Sequence, residues 1–101
     1  MADIIYWAIR QNSTGWWLPL YDGKQKRGFT YTEPSEGARP RLFVRLQDAK
    51  LALRWWLAGK YQVTYGYDHE GGDIVNEKII PQPHRDPKDY QIVCVVLREW
   101  H

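Results

Sequence analysis

From Leu46 to Ala58 the apolar residues recur three and four positions apart, so that Leu46, Ala49, Leu53, Trp56 and Leu57 share one side of a 3.6-residue spiral. This spacing predicts an amphipathic helix. Gln47 and Asp48 suit its first turn, Gly59 suits a left-handed residue just past its end, and Lys60 lies beside the negative end of its dipole. Ile4 to Ile9 is rich in β-branched and aromatic residues and predicts a first strand, followed by the turn-forming Asn12-Ser13-Thr14-Gly15. Trp16 to Tyr21 is expected to return as a second strand, although Pro19 cannot donate to a ladder and confines it to a sheet edge or bulge. Residues 24–41 show no sustained period beyond a possible short strand at Phe29 to Thr32, and are expected to form a long ordered loop. After the helix, Tyr61 to Tyr67 alternates as a half-buried strand does, Asp68 to Asp73 is a polar hairpin tip, and Ile74 to Ile80 returns. Pro81, Pro83 and Pro87 rule out helix or central strand in the connector that follows. Tyr90 to Leu97 is the most continuously apolar run, which predicts a central strand covered on both faces, or on one face with its neighbours crowding the other. The pattern therefore predicts an α+β fold, with a mostly antiparallel sheet of five or six strands on one helix in the order β-β-(β)-α-β-β-β.

The 101 residues suit one hydrophobic core, so residues 1–101 are expected to form a single domain. Apolar residues at 44% and charged residues at 26% are values typical of a globular chain. Six Trp and seven Tyr are more than one small core encloses, so some are expected at the surface. A net charge of +2 is too small for whole-molecule attraction to nucleic acid or an anionic membrane, and any such binding requires a local patch. Cys94 is the lone cysteine and excludes an internal disulfide; its apolar neighbours predict a small buried hydrophobe, which suits a reducing cytoplasm. The first residues lack the basic and apolar regions of a signal peptide, and no apolar stretch approaches the ~20 residues that span a bilayer. The expectation is a cytoplasmic protein without a membrane partner.

Opposite the core-facing stripe the predicted helix carries Leu51, Trp55 and Ala58, where a helix on one face of a sheet should show water a polar back. Two readings remain open: a hot spot for a partner or a second copy, or a face covered by the long loop of residues 24–41. Lys24, Lys26, Arg27, Arg39, Arg41 and Arg45 make the segment before the helix basic, with Phe29 and Tyr31 between them. Cations interleaved with rings suit single-stranded nucleic acid, but also a solvated rim or an acidic protein surface. Asp68, His69, Glu70, Asp73 and Glu77 gather acids near the second hairpin tip, in a spacing that matches no established metal loop. His84 and Asp86 offer a base and a carboxylate to orient it. They lack a nucleophile, because Ser13 and Ser35 sit in turn-like sequence and Cys94 is expected to be buried. No phosphate-cradling glycine loop is present. These features predict no enzyme, no metal and no cofactor.

Gly28-Phe29-Thr30-Tyr31-Thr32-Glu33-Pro34-Ser35, then Pro40-Arg41-Leu42-Phe43, then Trp56-Leu57-Ala58-Gly59 and Arg85-Asp86-Pro87-Lys88-Asp89-Tyr90 resemble a group of small accessory proteins of tailed bacteriophages and prophages. The resemblance implies provenance more than activity. It implies a phage-encoded binding protein that inhibits or redirects a bacterial host complex, of anti-defence type, by occluding a surface. The expected contacts are Leu51 and Trp55 with Arg39, Arg41 and Arg45 as rim charges, in a monomer or homodimer. The alternative is a nucleic-acid-binding accessory protein using Lys24, Lys26, Arg27, Phe29 and Tyr31.

Overall fold

The computed structural model describes residues 3–23, 27–67 and 73–99. Among them the chain forms strand β1 (Ile4–Gln11), helix α1 (Leu46–Ala58), and strands β2 (Lys60–Tyr67), β3 (Asp73–Ile80) and β4 (Tyr90–Leu97), with short 3-10 turns at Gly28–Tyr31 and Pro87–Asp89. The class is α+β. The four strands make two antiparallel pairs, β1 with β4 and β2 with β3, in place of the expected single sheet of five or six. Two of the expected strands are absent from the described residues. Trp16 to Tyr21 runs along β1 and touches its neighbours only through single bridges, Trp17 to Arg10 and Pro19 to Pro40, because proline on both sides of the second contact prevents a ladder. Phe29 to Thr32 lies in and just after a 3-10 turn, since the Thr30 and Thr32 hydroxyls each donate to the carbonyl three residues back, at Arg27 and Phe29.

The first and last strands pair along their whole length, from Ile4 opposite Leu97 to Gln11 opposite Tyr90. Residues directly opposite share a face, so Trp7, Ile9, Ile92 and Tyr90 point one way and Tyr6, Ala8, Val93 and Val95 the other. The first set faces the core cluster, and Ala8 of the second is wholly buried too. Ile9 and Tyr90 join Leu18, Phe43, Ala49, Ala52 and Trp56 in the core, with Trp7 and Ile92 against them. Small Ala49 and Ala52 let the helix approach closely, and Trp56, wholly buried, meets the Tyr90 ring edge-on with centroids 4.8 Å apart. The helix ends where the sequence predicts. Gly59 has φ 137° and its N–H donates to Trp56 O; a side chain there would also run into the Ile80 carbonyl.

The expectations for β4 are only partly met. It has one strand neighbour, and its far half is open: Val96 and Leu97 are 44% and 53% exposed. Cys94 is exposed as well, because the helix reaches only the Ile9, Ile92 and Tyr90 end of the ribbon. No helix among the described residues is long and apolar enough to cross a membrane.

Candidate partner-binding groove

The outer face of α1 borders a groove whose opposite wall is the 3-10 turn at Gly28–Tyr31 together with residues 41–44. That turn is pinned by polar contacts. Trp56 Nε1–H donates to Thr32 O at 2.7 Å, and the fully buried Thr30 hydroxyl accepts from the Tyr61 N–H at 3.0 Å, which ties the turn to both α1 and β2. Arg85 completes the clamp. Its guanidinium, 3% exposed as a residue, donates to Trp56 O at 2.7 Å, to Thr30 O at 2.8 Å and to Glu33 Oε1 at 2.8 Å, and lies 4.0 Å over the Trp56 ring. A cation at the carbonyl end of α1 also complements the helix dipole. The proline-rich connector is thus a structural element in its own right, because it delivers one arginine beneath the helix terminus.

The groove encloses about 470 Å³ between Phe29, Phe43, Ala52, Leu51 and Trp55, with Arg27, Arg41 and Asp48 at its edges. Its cations are stacked on rings. Arg27 lies 4.2 Å over Trp55 and 4.8 Å over Tyr61, and Arg41 lies 4.5 Å over Phe43 and 5.0 Å over Phe29. Burial lowers the pKa of Arg41 from the ordinary guanidinium value. On the other side of the same helix face Leu51, Arg54, Trp55 and Ala58 line a second hollow of about 320 Å³. Leu51, half exposed, and half-buried Trp55 therefore form an apolar ridge between two depressions.

Of the residues expected to bind a partner, the structure brings Leu51, Trp55 and Arg41 together in this groove, while Arg39 and Arg45 are exposed and do not line it. Arg45 stands at the N-terminal boundary of α1. The cover expected from the long loop is partial: Arg27 lies over Trp55, and Leu51 is half exposed. Among the residues considered for nucleic acid, Arg27 and Phe29 line the groove, Tyr31 lies outside it with Lys60 5.7 Å over its ring, and Lys24 and Lys26 lie outside the described residues. The acidic tip of residues 68–72 also lies outside them. Among the described residues no three His, Cys, Asp or Glu side chains gather to hold a metal.

His84 and Asp86 do not form a base and its carboxylate. His84 Nε2 is 3.0 Å from Glu33, whereas Asp86 accepts the Lys88 N–H and caps the Pro87–Asp89 turn. The residue between them, Arg85, was invisible to the periodicity, since a lone arginine among prolines looks like any solvated loop cation. Its sequence signal is its place at the head of the Arg85-Asp86-Pro87-Lys88-Asp89-Tyr90 motif. No family model matches the chain, nor does any curated protein or solved structure.

Proposed function

We propose that this domain acts by binding and occluding a macromolecular surface, with the Leu51–Trp55 ridge as apolar anchor and Arg27 and Arg41 as flanking cations. The observation that carries this reading is the ridge itself: half-exposed Leu51 and half-buried Trp55, the latter under Arg27, stand between two hollows on a helix whose other face is buried. A protein surface offering an apolar knob beside carboxylates would fit both parts. Following the resemblance to phage accessory proteins, we place the partner in a bacterial host complex of the defence type. The nucleic-acid alternative is less favoured, because Arg27, Arg41 and Lys60 already occupy one face of Trp55, Phe29 and Tyr31, faces that base stacking would use.

The test is the double variant Leu51→Ala with Trp55→Ala, compared with the parent chain in recovery of partners from nuclease-treated bacterial lysate and then in titration of the recovered partner. Loss of two anchor side chains should weaken binding by at least about 2 kcal/mol, on the order of 30-fold. Undiminished binding by a variant with the parent's circular dichroism would overturn the reading. Recovery abolished by the nuclease alone would favour the nucleic-acid alternative.

A further inference from the structure

Edge strands usually carry charges, prolines or bulges that discourage pairing with another chain. Among the described strands β1 carries Arg10, β2 carries Lys60, and β3 carries Asp73, Glu77 and Lys78, but β4 from Tyr90 to Leu97 has no charged residue, no proline and no bulge in its register with β1. Its side away from β1 has no strand neighbour among the described residues.

Which of its backbone groups face outward follows from β1. Trp7 exchanges both backbone hydrogen bonds with Phe43, and the Ile9 carbonyl accepts from Leu18 N–H, so these residues point away from β4. Their cross-strand partners, Cys94 and Ile92, must then point away from β1, and Val96 with them, by the alternation of an antiparallel ladder. The outer edge thus offers the N–H and C=O groups of Ile92, Cys94 and Val96, flanked by apolar side chains.

We propose that this edge pairs with the same edge of a second copy of the chain, antiparallel about a two-fold axis at Val95, extending each ribbon into one four-stranded sheet. The charge pattern is compatible with a second copy in this register. This axis sets Val93 opposite Leu97, Cys94 opposite Val96 and Gln91 opposite Glu99 of the other copy, so no like charges face each other. An uncharged edge that matches itself needs no foreign strand. A two-stranded ribbon alone is marginal in water, and the added strands supply what α1, touching one end of one face, does not. The dimer leaves the Leu51–Trp55 ridge untouched, so it stands or falls apart from the proposed function.

Sedimentation velocity over a range of concentrations, with amide exchange read by NMR, tests it. A dimer is expected, with the Ile92, Cys94 and Val96 amides as slow as the ladder amides of Val93 and Val95. Cys94→Pro removes an outward N–H without touching the β1 ladder, and Val96→Lys places like charges near the axis; either should give a folded monomer, with fast exchange at the remaining outward amides, while Leu51→Ala with Trp55→Ala stays dimeric. A parent chain that sediments as a monomer with those amides exchanging freely would overturn the proposal. So would a dimer that survives Val96→Lys and Cys94→Pro, or one that is lost with the ridge.

Discussion

The two ribbons have the same length and the same antiparallel pairing, but they are fastened by different forces. The β1–β4 pair is held by apolar contact, through Ile9 and Tyr90 against Trp56 and through the Phe43 and Leu18 segments laid along β1. Among the described residues the β2–β3 pair contributes no side chain to the buried core cluster. At its inner end it is tied by the Thr30 hydroxyl, and the chain leaving β3 returns Arg85 to the helix terminus. One ribbon is therefore built into the core, and the other is moored to it by a few buried polar groups. Burial is spread over many atoms and tolerates small losses, whereas a mooring of named hydrogen bonds fails at single residues.

The largest effect should come from the mooring. Arg85→Ala leaves the Trp56 and Thr30 carbonyls without their donor and removes the stack on Trp56, and should lower stability by on the order of 3–5 kcal/mol in urea unfolding. The Glu33 side chain is 39% exposed, so water takes over its charge and little of that loss comes from the ion pair. A loss under about 1 kcal/mol would show that the polar mooring is dispensable. Thr30→Val takes away both the donor to Arg27 O and the acceptor for the Tyr61 N–H, and about 1–3 kcal/mol is expected. Native-state amide exchange should then quicken in β2 while β1 and β4 hold, and equal quickening in both ribbons would contradict the difference between them.

The smallest effect belongs to the apolar ribbon and to pH. Burial, and then the Glu33 and Asp89 carboxylates, raise the Tyr90 phenol above its ordinary value of 10.0. The folded state therefore keeps its proton where the unfolded chain has lost it, so this stabilisation is complete below pH 10 and is lost as pH rises through the higher folded value. Tyr90→Phe should flatten that alkaline fall while leaving neutral stability nearly unchanged, since only the part-buried bond from Gln11 is given up. An identical alkaline slope in both chains would assign the fall to other groups.

The helix was legible from spacing alone, down to Gly59, because burial against one face imposes its period on the side chains. The two hairpin-like pairs were half legible. β-branched and aromatic enrichment marked β1, alternation β2 and an apolar run β4 as strands, but nothing in them said that they belong to two sheets, since layering depends on which ladder each edge finds. The unbroken apolar run of β4 suggested a centre and turned out to be an edge; apolarity reports that a strand avoids water, not which molecule covers it. For the groove, Leu51, Trp55 and Arg41 were found because they broke the helical or charge pattern. Arg85 broke none, and its importance arises only when three remote carbonyl and carboxylate oxygens converge on it.

The Tyr21 ring rests directly on Gly28 and Gly23, and a methyl group at either position would overlap it. Were position 28 an alanine, the phenol would have to lift from the residue that opens the short turn, next to Arg27 and Phe29 in the far wall of the groove. A bare backbone at two positions is what lets that ring lie flat behind the wall of the cleft.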